Sequence, residues 1–364
     1  MLKVFKKLAH DAFLENWKQN VETHRMHWLE VEVTHRCQLH CLHCGSSCGT
    51  EQYAPKELDF EEWLDVFRKV AKAYDPAQIK VAVTGGEPLV RPDIYRLIAN
   101  ITEMGYKVSL MTNGMTMDDR IVKYLAAAHV NGIGVSIDGL EENHDWLRNK
   151  KGAFAKATDT LKRLRDSGFF YVEPITTVNK RNLRELERME EMFIAMDMPS
   201  WRMFKTFPIG RANGYPELFL DGVEFKYLMD FIRKRYTDKR RKMKVSFCEI
   251  GYLGEYELDV RSFFAQCFAG INTLAVLAEG SITGCAAVSP EFIQGNVRTD
   301  DVVDVWEHRF HVFRDRSWMK QGKCGSCNVY PYCRGDGFHL WKKDGADPAE
   351  CNYSLLTGKS LTQI

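Results

Sequence analysis

The chain has 364 residues, 45% of them hydrophobic, and 50 Lys and Arg against 49 Asp and Glu give a net charge of +1. At roughly 150 residues per domain this length predicts two to three domains. So even a charge balance excludes a global field that recruits nucleic acid or anionic lipid. No apolar run approaches the ~18 residues of a membrane span. No N-terminal apolar stretch ends in a small-residue cleavage site, so a cytoplasmic protein is expected. Eleven cysteines are far from a disulfide scaffold, but their placement is uneven. Four lie between 37 and 48, none between 49 and 247, and seven between 248 and 351, which reads as two thiol-rich sites.

Residues 1–28 carry Val4, Phe5, Leu8, Phe13 and Trp17 among lysines. This predicts a short amphipathic helix that docks against the domain following it. From residue 29 short β-rich runs alternate with stretches of helical period. Strands are predicted at 29–34, 79–84, 106–112, 131–137, 169–177 and 200–207. Helices are predicted near 59–74, 92–104, 117–129, 154–167 and 182–196, with another from about 222. Six βα units in series imply an α/β fold with a parallel sheet, open or curled towards a barrel. Chemistry in such folds sits on loops leaving the C-terminal ends of the strands. Residues 233–244 (RKRYTDKRRKMK) read as a solvated helix end and linker. The sharper alternative is a docking surface for an acidic peptide. After residue 245 the βα rhythm stops, and LAVLAEGSITGC predicts a hairpin about Glu279-Gly280. The boundaries expected are 1–28, 29–236 and 237–364.

The first predicted strand is followed by Cys37-Gln-Leu-His-Cys41-Leu-His-Cys44. Three thiolates on one loop suit a soft metal. A structural zinc site would be closed by Cys48 or by His35, His40 or His43. A cubane iron–sulfur cluster would instead be left with one iron open. The spacing leaves both open. The next three strands end in Thr84-Gly85-Gly86-Glu87-Pro88, Met111-Thr112-Asn113-Gly114 and Ser136-Ile137-Asp138-Gly139. Paired glycines permit close approach of a ligand to the backbone, and the carboxylate beside them suits an ammonium. Each motif alone is an ordinary βα turn. Together they fall on one rim beside the cysteine loop.

CQLHCLHC, TGGEP, MTNG and SIDG in this order resemble the radical S-adenosylmethionine (SAM) superfamily over about residues 29–210. The resemblance implies a partial (βα)6 TIM-like barrel. It implies that Cys37, Cys41 and Cys44 ligate a [4Fe–4S] cluster whose fourth iron chelates S-adenosylmethionine. Gly85, Gly86 and Glu87 would hold the methionine amino group, Ser136 and Asp138 would face the ribose, Asn113 would add an amide, and Arg148 would meet the carboxylate. One electron would then release a 5′-deoxyadenosyl radical that abstracts a substrate hydrogen. The residue before the third cysteine is often aromatic in this superfamily, and here it is His43. Thr176, Thr177, Arg202 and Lys205 are expected to line the substrate chamber, and Cys48 to be an inert buried thiol.

Cys324-x2-Cys327-x5-Cys333 followed by Cys351 supplies four thiolates, enough to close a zinc site. With Cys267-x12-Gly280-x4-Cys285, however, it resembles the SPASM extension of peptide- and protein-modifying radical enzymes, a smaller cysteine-rich iron–sulfur domain. That resemblance assigns Cys324, Cys327, Cys333 and Cys351 to a complete distal cluster. Cys267 and Cys285, with Cys248 as a third ligand, go to a proximal one. Gly337 stands where the family's last proximal cysteine is expected. The proximal site would then hold a cluster with an open iron, recruit a non-cysteine ligand such as Asp336, or be empty. The resemblance implies a radical enzyme acting on a peptide or protein, with an external one-electron donor such as flavodoxin or ferredoxin. A relative acting on a small-molecule cofactor or haem precursor is the alternative. A non-catalytic zinc scaffold is the alternative of another class.

Overall fold

The computed structural model describes residues 2–49, 56–169, 171–264 and 266–358. Phe170, inside the fifth predicted strand, and the side chain of Val4 lie outside the described set. Among the described residues ten strands form one sheet: β1 (Trp28–Glu32), β2 (Lys80–Thr84), β3 (Lys107–Thr112), β4 (Gly132–Ser136), β5 (Val172–Val178), β6 (Ser200–Lys205), β7 (Lys244–Phe247), β8 (Thr273–Val276), β9 (Ser281–Thr283) and β10 (Gly295–Asn296). Their order is β10-β9-β8-β1-β2-β3-β4-β5-β6-β7. β1 to β6 pair in parallel with their sequence neighbours. β7 extends this run in parallel on β6, and β8 pairs in parallel with β1 on the opposite flank. The predicted hairpin is β8–β9, with Gly280 at φ +94°. The result is a partial TIM barrel of α/β class followed by a cysteine-rich C-terminal region.

The helices are α1 (Leu2–Thr23), α2 (Phe60–Ala73), α3 (Ile94–Glu103), α4 (Asp119–Ala127), α5 (Glu141–Arg148), α6 (Ala153–Asp166), α7 (Leu186–Ala195) and α8 (Gly222–Tyr236), with shorter turns beyond. α2 and α8 begin at capping boxes, Asp59 with Glu62 and Asp221 with Glu224, which satisfy orphan amides at both ends of the first turn. α2 then buries Trp63, Leu64, Phe67 and Val70 along one stripe. Strand positions alternate accordingly. Leu29, Val31, Val81, Val83, Val108, Leu110, Ile133 and Val135 are buried under the helices. The intervening Glu30, Ala82, Thr84, Met111 and Ser136 line cavities inside the barrel.

Two features depart from the expectation. α5 follows β4, where no helix was predicted. Its sequence EENHDWLR buries only His144, Leu147 and Arg148, so it carries too short an apolar stripe to register as periodic. Helix α1 docks on the C-terminal region rather than on the barrel domain that follows it. His10 packs against Phe264 and Tyr332 with ring centroids 5.0 and 4.4 Å apart, and Arg334 lies 4.2 Å over Trp17. Phe5 and Leu8 remain exposed. The basic 233–244 stretch is partly consumed in ion pairs, Arg235 and Arg241 both meeting Glu190.

Candidate functional site

A cavity of about 380 Å³ opens at the C-terminal ends of the strands. Its wall includes Cys37, Cys41 and Cys44 from the loop after β1, and Gly85, Gly86 and Glu87 after β2. Asn113 follows β3, Ser136 ends β4, and Arg148 ends α5. Thus motifs separated by more than a hundred residues meet at one rim.

The cysteine loop is pinned by backbone. Gly86 N–H donates to Thr34 O at 2.7 Å, and Glu87 N–H to Arg36 O at 2.9 Å. A Cβ on Gly85 would lie 2.5 Å from Thr34 O, and one on Gly86 2.4 Å from Arg36 O. The glycine pair therefore serves close approach of chain to chain, where the sequence suggested approach of a ligand. Gly85, at φ +149°, also occupies backbone space that favours glycine. From the other side Leu42 N–H donates to Leu147 O at 2.9 Å. Arg211, in the turn after β6, donates from Nε to Cys41 O at 2.9 Å and from Nη2 to Cys48 O at 2.8 Å. Gly210 beneath it would place a Cβ 2.0 Å from Gly45 O. Sequence reasoning missed this Gly-Arg pair, because no local motif marks it.

Electrostatics divide the cavity wall. Glu87 is fully buried, and its carboxylate accepts from Thr112 Oγ1 at 2.8 Å, Asn113 N–H at 2.7 Å and Leu89 N–H at 3.2 Å. Burial pushes its pKa up to about 7, and no ion pair reaches it among the described residues. On the same wall, Arg148 Nε, Arg211 Nη1 and His43 Nδ1 are buried nitrogens with no hydrogen-bond partner among the described residues. A buried carboxylate without an ion pair and buried guanidinium nitrogens without partners in one cavity fit a zwitterionic ligand, since each unpaired buried polar group costs free energy until it is met.

Asp138 lies behind this wall. It pairs with Arg148 and, at 3.3 Å, with His43 Nε2, and its Oδ1 accepts from Thr177 N–H at 2.7 Å. Burial acts to raise its pKa, but Arg148 and His43 outweigh burial and hold it below the usual carboxylate range. Its carboxylate is thus spent on orienting two side chains of the cavity. Around the thiols, Leu39 N–H lies 3.4 Å and Asn113 Nδ2 3.8 Å from Cys37 Sγ, and Arg148 Nη1 lies 3.7 Å from Cys41 Sγ. Burial raises the Cys37 thiol to about 11 and raises Cys41 as well, whereas a hydrogen bond from Cys48 lowers Cys44 to about 5. Cys48 therefore contacts a motif cysteine instead of standing apart.

Of the four chamber residues expected, Thr177 and Lys205 line the cavity. Thr176 is buried outside it, donating to Ile137 O and accepting from Trp201 Nε1. Arg202 pairs with Glu173 at 2.6 Å. Lys205 is fully buried between Glu249, at 3.2 Å, and Glu350.

In the C-terminal region burial raises the Cys333, Cys351 and Cys324 thiols, and neighbouring cysteines add to it: Cys351 and Cys324 act on Cys333, Cys324 on Cys351, and Cys327 on Cys324. Asp336 faces this group. Its carboxyl, raised to about 7 by burial, accepts from Gly337 N–H at 2.9 Å and Asn352 N–H at 3.2 Å. Cys248, Cys267 and Cys285 line a separate cavity of about 550 Å³, together with Glu30, Gln266 and His339. Asp336 is not on its wall. Glu30, Arg211, Arg316 and His339 are the site residues that motif spacing did not bring out.

Two family models match the chain: the radical SAM superfamily over residues 31–193 and an iron–sulfur cluster-binding domain, SPASM, over residues 267–328. Among curated relatives, an AdoMet-dependent heme synthase of Methanosarcina barkeri is 29% identical over 322 residues, 84% of this chain and 89% of that protein. Mycofactocin maturase MftC of Mycobacterium ulcerans is 29% identical over 333 residues, 89% of this chain and 87% of that protein. Among solved structures, anSMEcpe with bound AdoMet superimposes with a TM-score of 0.71 at 18% identity, covering 91% of this chain and 94% of that one. At such identity the likeness shows a shared fold. The two domain models imply iron–sulfur clusters and S-adenosylmethionine as cofactors, and they displace the reading of a zinc scaffold. The chain carries a radical SAM domain over residues 31–193 and, after it, a SPASM iron–sulfur cluster-binding domain over residues 267–328.

Proposed function

We propose that this enzyme abstracts a hydrogen atom from a carbon of a peptide or protein substrate, as the first step of a post-translational modification. When bound, a reduced [4Fe–4S] cluster and S-adenosylmethionine supply methionine and a 5′-deoxyadenosyl radical, which takes the hydrogen and leaves the radical on the substrate carbon. The residues assigned to the cluster are Cys37, Cys41 and Cys44. Glu87, beside the Gly85-Gly86 backbone, receives the ammonium. Arg148 and Arg211 offer nitrogens to the carboxylate, and Ser136 with Asn113 offers polar contacts to the nucleoside. Asp138 positions His43 and Arg148. Cys324, Cys327, Cys333 and Cys351 are assigned to the distal auxiliary cluster.

The observation that carries the peptide reading is the likeness to maturation enzymes over most of the chain, mycofactocin maturase MftC over 89% of it and the sporulation killing factor maturation protein SkfB over 82%. A haem precursor is the second reading, favoured by the equal identity to the heme synthase.

A search beside the gene for a short reading frame, and co-expression with the peptide it encodes, separate the two. Loss of two hydrogens or a new crosslink in such a peptide, dependent on Cys37, Cys41 and Cys44, supports peptide modification. The anaerobic enzyme with dithionite, S-adenosylmethionine and an iron porphyrin bearing propionates is the opposing arm. Porphyrin turnover without any peptide change overturns the proposal.

A further inference from the structure

The second cavity presents three thiols, and a three-thiol wall is short of one ligand for a cubane cluster. Cys248 follows β7, Cys267 precedes β8 and Cys285 follows β9, so the three arrive from separate segments of the C-terminal region. Gly337, at the position where a fourth cysteine is expected from the spacing, has no side chain to offer. The space beside it is taken. A Cβ built on Gly337 would stand 2.4 Å from His339 Cε1, 2.7 Å from Nδ1 and 3.3 Å from Nε2. The imidazole of His339 therefore fills the volume that a side chain at 337 would enter. The same imidazole lines the cavity shared by Cys248, Cys267 and Cys285. Its Nε2 is buried and meets no hydrogen-bond partner among the described residues. A buried imidazole nitrogen left without a partner is a standing cost that a metal removes.

We infer that His339 is the fourth protein ligand of the proximal auxiliary cluster, its Nε2 replacing the thiolate that Gly337 lacks beside Cys248, Cys267 and Cys285. Imidazole is an accepted substitute for thiolate on iron–sulfur centres. Exchanging an anionic thiolate for a neutral imidazole leaves the cluster one unit less negative and raises its reduction potential. Two carboxylates compete for the role and are already engaged. Asp336 belongs to the group of Cys324, Cys333 and Cys351, with both oxygens accepting backbone N–H groups. Glu30 is on the cavity wall, but its Oε2 accepts from Ala286 N–H at 3.0 Å and it hydrogen-bonds Cys285. Glu30 is thereby occupied by a backbone amide and by Cys285. On the remaining flank the Arg316 guanidinium hydrogen-bonds Cys267. Phe207, which lines the main cavity, packs 4.6 Å from the His339 ring, so the imidazole stands between the two cavities.

This assignment goes beyond the substrate reading, and its test does not use turnover. The full chain is reconstituted anaerobically, its iron and sulfide are counted, and the reduced protein is studied by pulsed electron paramagnetic resonance with ¹⁴N- and ¹⁵N-histidine labelling. A strongly coupled histidine nitrogen is expected in the wild type and in Glu30→Gln, and its loss in His339→Ala. Cys267→Ala combined with Cys285→Ala should remove roughly four iron atoms per chain. Gly337→Cys combined with His339→Ala should restore iron content without the nitrogen coupling and lower the potential of that cluster. No coupled nitrogen in the wild type, its persistence in His339→Ala, or unchanged iron in the double cysteine variant would each overturn the assignment.

Discussion

The barrel rim and the C-terminal cavity are both built around three thiols, yet they are assembled in opposite ways. At the rim, the cysteine loop, Gly85-Gly86-Glu87 and Asn113 come from turns that directly follow strands, and the sheet order places these turns side by side. In the C-terminal cavity, Cys248 and Cys285 follow strands towards opposite ends of the sheet order and Cys267 and His339 lie outside any strand, the four spanning 92 residues. They meet because loops pack. A site dictated by topology can be found from local motifs. A site dictated by packing hides any member whose role is to fill a volume.

The sharpest way to break this comparison is at the rim. Gly86→Ala forces a Cβ against Arg36 O at 2.4 Å, and backbone cannot yield as a flexible side chain does. The cysteine loop must then shift. The expected outcome is loss of most cluster iron from the rim site and at least a hundredfold loss of 5′-deoxyadenosine formation, since misplacement by about 1 Å costs about that much. Iron analysis and product chromatography check it. A variant with full iron and full turnover would mean that the glycine pair does not set the loop.

A second prediction concerns the seam between the two regions. Lys205 ends β6 and is buried between Glu249 and Glu350, which come from the C-terminal third. Burial alone would lower its pKa, but the two carboxylates outweigh burial and raise it. Lys205→Met leaves Glu249 buried without its cation and should destabilise the fold by about 3–5 kcal/mol. Adding Glu249→Gln and Glu350→Gln should recover much of that loss. Denaturant unfolding, followed in both regions by separate probes, tests whether they unfold together.

That seam also shows what the sequence could and could not disclose. Six strands and their helices were legible because Val81 and Val83, or Trp63, Phe67 and Val70, repeat at strand or helix period. The four rim motifs were legible because each sits in one short string. Asp138 was legible as a site residue but not as a positioning one, because its partners Arg148 and His43 arrive from α5 and the cysteine loop. Arg211 and Lys205 act through partners from distant segments, and nothing beside them in the sequence marks those partners. His339 is the extreme case, since its place follows from the missing side chain at Gly337.

The smallest effect expected sharpens the rim assignment itself. Glu87 is the one rim carboxylate placed for an ammonium, and burial raises its pKa to about 7. In the ligand-free protein its neutral form is favoured below about pH 7. The stability this group contributes is therefore fully present below its unfolded value near 4.5 and is lost as pH rises through about 7. Binding of a positively charged amino group has the opposite sign, because it needs the ionised carboxylate. Affinity of the reconstituted protein for S-adenosylmethionine should thus rise from pH 6 to pH 8, with proton release when binding occurs near or below pH 7. Calorimetry in buffers of different ionisation enthalpy reads both. Glu87→Gln keeps an acceptor oxygen but removes the charge, so it should weaken binding by roughly ten- to a hundredfold and flatten the pH dependence. If the variant binds more weakly but keeps the wild-type pH profile, the titrating group is another residue, and the ammonium is not held by Glu87.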